Sequence, residues 1–488
     1  MKAERPAPIA TNPISIVAGD FLDERRSRGR YPPGPLNWDL RRTLQFTRDP
    51  LPILLPLYER YGPIFTVRMM HQPQIFMLGP AANHYMTVSH PENFLWRDGH
   101  FGQLAWLMGD GLLTIDGDYH DRARRIMMPA FHRERIEAAV EIMVDEARRA
   151  MQDWSPGTVV DVYDWMRVLA MRIAMRALFG LDPDDHDSGA AMAQRFERAL
   201  AFYGTSGPSR LLRGPRSPYA RMRNASRRLD EIVYAEIARR RADPDPDRRD
   251  VLSMLIEAED EDGSRFSDEE IRDQVMTLLF AGHDTSTSTV TFLLYELARH
   301  PQVLARLYQE QDRVLGSEPP GFHQLHGELA QLDMAVDETL RLYPPAWVGP
   351  RKTVREFEFE GHHVPARAYI NYSSWASHRL PDVFPEPEAF IPERFTPERK
   401  AALPKGAYVP FGGGSRICIG KRFGQTEVKV VTATILQRFR LELLPGRTMT
   451  IRQMPTLSPR DGLPMTIRSR EVPEPAHSGG QPASSATA

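Results

Sequence analysis

The sequence predicts a mainly α-helical fold with a small β portion, and three observations carry that reading. A segment beginning at Ser267 reads as one helix of about 33 residues, roughly 50 Å at 1.5 Å per residue, long enough to cross a whole domain. Amphipathic segments at helical spacing recur along the chain, whereas strand-like alternation is confined to a few short pieces. The 42 prolines often stand in HP or YPP steps, which end helices abruptly.

Taken in order, residues 1–30 mix charges and prolines with apolar residues and predict a polar N-terminal extension without a secretory signal. GPIFTVRMM with QIFMLG reads as paired strands. ERIEAAVEIMVDEARRAMQDW, MRVLAMRIAMRALFGL and LDEIVYAEIARRRA read as amphipathic helices, and DPDPDRRD and SEPPGFHQ as surface loops. Ser267 and Glu270 have capping-box spacing at the start of the long helix and Pro301 marks its stop; its middle, Leu278 to Phe292, is apolar or small nearly all round. Leu332, Val336, Leu340 and Tyr343 define a further helix ending at Pro344 and Pro345. FEFEGHHVPARAYINYSSW and MTIRQMPTLSPRDGLPMTIRS supply the remaining strands, and GKRFGQTEVKVVTATILQRF a late helix with Val428, Val431, Ile435 and Phe439 on one face. The tail 471–488 is small and polar and reads as disordered, leaving one domain over 31–470.

Composition excludes several classes. Lys and Arg total 62 against 64 Asp and Glu, a net charge of −2 that gives no general reason to expect nucleic acid as a partner. Apolar runs such as LPILLPLY end far short of the roughly 20 residues a spanning helix needs, so no stable membrane anchor is expected. A single cysteine without an export signal suits a reducing cytoplasm.

That cysteine, Cys418, stands in FGGGSRICIG. A free cysteine is most often a buried structural thiol. Here Gly412, Gly413, Gly414 and Gly420 clear side chains from both sides, as a backbone lying close to a flat rigid body requires, and the late helix places the sulfur at a helix N-terminus, where a thiolate is favoured. A covalent nucleophile would need a base with a local signature, zinc would need more ligands at short spacing, and a Walker loop would need its Lys then Ser or Thr; none adjoins the loop. A single axial thiolate on haem iron needs one cysteine only.

Phe411, Gly414, Arg416, Cys418 and Gly420 match F-x-x-G-x-R-x-C-x-G, and the stretch resembles the haem-binding loop of the cytochrome P-450 superfamily. The resemblance implies the P-450 fold, with haem b between the long helix and the cysteine loop, Cys418 as axial ligand, Phe411 beside the sulfur and Arg416 at a propionate. ETLR, with Glu338 and Arg341, and FIPERF, with Arg394, resemble the family's buried Glu, Arg, Arg cluster, which braces the core. AGHDTS, residues 281–286, resembles the oxygen-activation segment: Ala281 and Gly282 border the haem, and Asp284 and Thr285 deliver protons to bound oxygen, with His283 and Ser286 as variable positions. His120 and Arg124, placed by the PAF that follows them, and Arg351, ten residues before Gly361, match propionate-binding positions of bacterial members, with Lys352 as a competing register.

The implied activity is that of a haem-thiolate monooxygenase that inserts one oxygen atom of O2 into a lipophilic small molecule: a fatty acid, terpenoid, steroid or polyketide. A separate ferredoxin or flavodoxin would supply electrons to a cytoplasmic monomer, docking on basic residues near Cys418: Arg416, Lys421, Arg422, Lys429, Arg122, Arg124 and Arg125. The expected substrate lining is 96–108, the Phe280 region, Trp347, Val348 and the segment near Leu457. A haem-thiolate isomerase or peroxygenase, a haem sensor, and a hydrolase or transferase with Cys418 as nucleophile are the alternatives; the Asp284 and Thr285 pair speaks against the first.

Overall fold

The long central helix exists as the sequence predicts. It runs from Asp268 to Arg299, 32 residues, and its N-terminus is closed by a capping box: Ser267 Oγ accepts from the Glu270 amide at 3.2 Å while Glu270 Oε2 accepts from the Ser267 amide at 2.8 Å. Pro301 does not merely stop it but starts the next helix, Pro301–Val314, where a missing N–H costs nothing. The computed structural model describes residues 12–470, apart from 28–30, 186–188, 205–211, 246–247, 249 and 261–262, together with residues 6 and 9. The expected disordered tail lies outside the described residues.

Nine helices organise the site. In chain order they are α1 (Pro13–Arg26), α2 (Gly117–Met127), α3 (Arg133–Ala150), α4 (Val162–Ile173), α5 (Gly189–Leu200), α6 (Pro218–Ala242), α7 (Asp268–Arg299), α8 (Ala330–Leu342) and α9 (Lys421–Leu436). The central α7 packs against α4, α8 and α9, while α3 lies on α9 and α5 on α6. One large apolar core joins α2 to α9, from Met108 and Met143 through Leu279 and Leu293 to Val431 and Ile435. A helix in that position must bury its own hydroxyls. Thr287, Thr289 and Thr291 do so by donating to the carbonyls four residues back, at 2.8, 2.9 and 2.7 Å.

The main sheet has five strands: β1 (Ile64–Met69), β2 (Gln72–Met77), β3 (Phe94–Leu95), β4 (Gly349–Thr353) and β5 (Tyr369–Tyr372), in the order β1-β2-β5-β4-β3. β1 and β2 form the expected hairpin, Ile64 opposite Met77, and β2 runs parallel to β5. β3 pairs antiparallel with β4, Leu95 opposite Lys352, which sets Trp96 beside Arg351. Phe439, expected at the end of the late helix, instead opens a strand, Phe439–Leu443, because α9 ends at Leu436. That strand pairs with Pro464–Ser469, which also pairs with Val159–Asp161.

The expected polar extension is polar, and part of it belongs to the folded body. Asp23 of α1 accepts from Lys352 Nζ at 2.8 Å and Arg367 Nε at 2.7 Å, Asp20 accepts from the Tyr369 hydroxyl at 2.7 Å, and Glu24 pairs with Arg68. Its acids dock it on the sheet.

Candidate active site

The loop 411–420 leads into α9 with Gly420 as N-cap. Gly412 and Gly414 take left-handed φ of 70° and 60°. A Cβ on Gly414 would stand 2.0 Å from the Thr87 carbonyl oxygen, so this glycine is needed for the backbone packed beneath it; the sequence reading assigned it to clearance for a flat ligand. A Cβ on Gly420 would meet only Phe131, at 3.8 Å. The loop is tied down by the Cys418 amide donating to the Phe411 carbonyl at 3.0 Å.

Cys418 is exposed, yet protein surrounds it closely enough that burial pushes its thiol above the usual range; the Gly420 amide, Arg124 and Lys421 act in the opposite sense without prevailing. The helix N-terminus therefore does not by itself make the thiolate expected from sequence. A metal cation at the sulfur would, since a coordinating thiol is deprotonated outright.

Of the basic residues expected near the sulfur, Arg124 and Lys421 lie close enough to act on it. Arg124 is close enough to Cys418 for each to shift the other's protonation. His120, on the same helix α2, is buried, which together with the charge of Arg416 pushes its imidazole down to about 4; its Nδ1 lies 2.9 Å from Asp121. Arg351 on β4 is buried and stacks on Trp96 at 3.3 Å from the ring centroid, and its guanidinium is pushed down to about 10 by burial. Lys352, the competing register, points the other way to Asp23. Arg416 is already engaged: it donates to the Ile115 carbonyl at 2.7 Å and to Asp116 at 2.6 Å. Asp116, which sequence reading missed, also accepts from the amides of Trp96 and Arg97 at 3.1 and 2.9 Å, and so joins the β3 exit to the cysteine loop.

On α7, Ala281 is exposed and Gly282 and Thr285 half-exposed although the helix runs through the interior. A Cβ on Gly282 would meet only Leu178, at 4.0 Å. Thr285 Oγ1 donates to the Ala281 carbonyl at 2.6 Å. Asp284 faces elsewhere: it is buried beside His283, 3.2 Å from the ring Nδ1, and although burial would raise it, His283, Arg167 and Arg452 hold its carboxyl below the usual range. The structure therefore separates the surroundings of Asp284 and Thr285. Ser286, like His283 given no weight in sequence, donates to Glu427 of α9 at 2.5 Å, and burial pushes that carboxyl up to about 8.

The residues fit haem b. A lone thiol stands in the loop, the otherwise buried central helix presents an accessible small-residue face, and Arg124 and Arg351 make no ion pair among the described residues. Two buried or half-buried guanidiniums are a match for two carboxylates. Among the described residues no three His, Cys, Asp or Glu side chains cluster as a metal site.

Behind the loop, the Glu, Arg, Arg cluster is present. Arg341 is fully buried and bonds Glu338 through Nε and Nη2 at 2.7 and 2.8 Å, and also donates to the carbonyls of His378, Pro387 and Ala389; Arg394 Nε lies 3.4 Å from Glu338. His378 Nε2 accepts from the Val409 amide at 2.9 Å, linking this cluster to the strand of chain that enters the cysteine loop.

Two expectations need correction. Lys429 is buried and pairs with Asp333 at 2.8 Å, so it cannot belong to a docking face. Trp347 and Leu457, expected to line a substrate pocket, pack with Phe292 and Trp375 as core, and the Trp347 indole N–H donates to the Gln453 carbonyl at 3.0 Å. Within 96–108, Leu104, Leu107 and Met108 are also core, whereas Trp106 meets Phe202, Tyr219 and the Arg213 guanidinium.

The cytochrome P450 family profile matches residues 32–465. Cyclooctatin synthase of Streptomyces melanosporofaciens is 38% identical over 377 residues, 76% of this chain and 79% of that protein. Cyclooctat-9-en-7-ol 5-monooxygenase of the same species is 36% identical over 423 residues, 84% of this chain and 89% of the other, and pentalenene oxygenase of Streptomyces avermitilis is 35% identical over 341 residues, 70% and 75%. Among solved structures, a retinoic-acid-bound cyanobacterial P450 superposes with a TM-score of 0.80 at 28% identity, covering 90% of this chain and all of that one. The heme domain of cytochrome P450DA gives 0.82 at 27%, covering 91% and 98%. With its cysteine loop, the accessible small-residue face of its central helix and a match along nearly its whole length, this chain belongs to the cytochrome P450 family and is a haem b monooxygenase acting on a lipophilic small molecule with O2 and a redox partner.

Proposed function

We propose that the protein oxygenates an alicyclic terpenoid, with Cys418 as the ligand of haem iron. The terpenoid assignment is drawn from relatives named for cyclooctat-9-en-7-ol and pentalenene. The observation that carries the site assignment is the chain's one thiol, Cys418, with Arg124 beside it and with His120 and Arg351 both within reach of the Arg416 charge of the same loop. When bound, haem would supply the oxygen-activating iron chemistry, with the Cys418 thiolate holding the iron and lending it electron density.

The chain's own residues do the rest. Arg124, Arg351 and His120 hold the propionates, with Asp116 keeping Arg416 aimed across the same edge. The small face at Ala281 and Gly282 admits the flat ring, and the Thr285 hydroxyl, by leaving its bond to the Ala281 carbonyl, orients water at that face. Asp284, held ionised by its neighbours, is the carboxylate that passes protons toward it. Phe411 shields the sulfur, and the Gly420 amide donates to it. Trp106, Phe202 and Tyr219 form an aromatic wall suited to an apolar substrate.

The electron donor is an acidic ferredoxin or flavodoxin, docking at Lys421 and Arg422, which are exposed at the start of α9. The protein acts as a cytoplasmic monomer; no helix among the described residues is long and apolar enough to cross a membrane. The test is the spectrum of the reduced protein under carbon monoxide beside Cys418→Ser. A red-shifted thiolate-type Soret band is expected in the wild type and lost in the variant; its survival would reject the ligand assignment. Terpenoid binding is read as a change of iron spin state, with a fatty acid and a steroid as comparators.

A further inference from the structure

His283 is wholly buried, and both of its ring nitrogens face oxygen. Nε2 lies 3.1 Å from Glu197 Oε1 on α5 and 3.0 Å from the Arg167 carbonyl on α4, and Nδ1 lies 3.2 Å from Asp284 Oδ1. Only the doubly protonated ring presents an N–H to oxygen on both sides. Burial works against that charge, but the two carboxylates outweigh it and hold the imidazole at about 9.

The other groups facing this cluster come from four elements. Arg167 of α4 pairs with the second oxygen of Glu197, and Tyr163 of the same helix hydroxyl-bonds Arg452 at 2.9 Å. Arg167 and Arg452 also act on Asp284, and Glu427 of α9 feels the imidazolium. Phe196 of α5 stands perpendicular to the ring at 6.3 Å.

Two further observations give the cluster a direction. A surface groove of about 420 Å³ runs between α4 and α5, and Arg167, Val168, Met171, Gln194 and Glu197 line it. Glu197 is 38% exposed there, so one of its sides is wet while the other holds His283. In addition, His283 Nδ1 and Asp284 Oδ1 approach without an aligned hydrogen bond, both buried. The contact between them holds charge but does not lock the carboxylate in place.

We propose that His283 is a positioning residue for Asp284: an imidazolium bridge that ties this carboxylate to Glu197 and the solvent groove, and so sets when Asp284 is free to serve Thr285. This rests on the monooxygenase reading of the site. The only chemistry in the bridge is a proton equilibrium: as pH rises, the ring gives one proton to groove water, leaving a neutral imidazole and two carboxylates that no longer hold one another.

The test uses the holoenzyme in its reduced carbon monoxide form, which is diamagnetic. Its Soret band checks the haem-thiolate reading first and separately. ¹⁵N-histidine NMR then follows the ring, assigned by the signal missing from His283→Gln. The ring is expected to stay charged through pH 8, and Glu197→Gln to lower its midpoint by roughly one pH unit or more, with Glu197→Asp restoring it. The alkaline limit of product formed per oxygen consumed should move with that midpoint. A ring that is neutral at pH 7, or a midpoint indifferent to Glu197→Gln, overturns the bridge. A shifted midpoint with an unchanged coupling profile reduces His283 to a structural ion pair and overturns its positioning role. Loss of the Soret band in wild type would reject the oxygenase reading instead, while the titration would still decide the bridge.

Discussion

At the scale of single residues, α7 carries two kinds of polar group with different fates. Thr285, on the open face, has its hydroxyl bonded within the helix and loses nothing structural if truncated, so Thr285→Ala should fold normally. Its effect should appear as uncoupling, with product per oxygen consumed falling roughly tenfold or more, in line with the weight of a positioned proton donor. Glu427 behaves oppositely. Burial raises its carboxyl from 4.5 to about 8, and Ser286 offsets that only in part. A raised folded pKa gives a contribution fully present below pH 4.5 and lost as pH climbs through 8. His283, raised from 6.5 to about 9, adds a loss of the same sign between those values. Stability measured by chemical denaturation should therefore fall from pH 6 to pH 9, and Glu427→Gln should remove the Glu427 share of that slope while leaving the His283 loss above pH 6.5.

Elements are held by contacts that substitution should expose. Gly414 combines a φ of 60° with a Cβ position 2.0 Å from the Thr87 carbonyl oxygen. Gly414→Ala must move one backbone against another, at about 1–3 kcal/mol for the strained conformation alone. It should lower both the denaturation midpoint and the haem content of the purified protein. The α8 cluster is more severe, because Arg341→Met takes the bidentate partner from the buried Glu338 and leaves it only Arg394, 3.4 Å away, a loss of about 3–5 kcal/mol. That variant should be recovered mostly unfolded, whereas Ser267→Ala, which opens the capping box of α7, should cost only about 1 kcal/mol.

For the whole molecule, the distribution of charge matters more than its sum. Of the cations expected around the cysteine loop, Lys429 is paired to Asp333 inside the protein, Arg122 to Glu270 at 2.8 Å, and Arg125 to Asp260 at 3.2 Å. Lys421 and Arg422 remain exposed. Reversing both should slow reduction by an acidic donor and flatten its dependence on salt, as loss of electrostatic steering requires, measured by stopped-flow reduction at several ionic strengths. Lys429→Met should leave the salt dependence intact.

The cofactor was legible in the sequence through the resemblance of FGGGSRICIG to a haem-binding loop, and the long helix through local chemistry: a capping box at Ser267 and apolar spacing that hides a face from water. The Glu338 and Arg341 pair was legible for the same reason, since i and i+3 on a helix share a face. What only the tertiary structure decided lies between segments far apart in the chain. Lys429 reads as surface and is buried because Asp333 meets it; Phe439 continues a helical pattern but pairs as a strand with Ser469. Asp284 and Thr285 are neighbours in sequence, yet successive helical positions point about 100° apart. One therefore joins His283 and, through it, Glu197 from another helix, while the other lies on the open face opposite no such partner. Periodicity records which face a residue takes; it holds no record of the charges that a distant helix brings to that face.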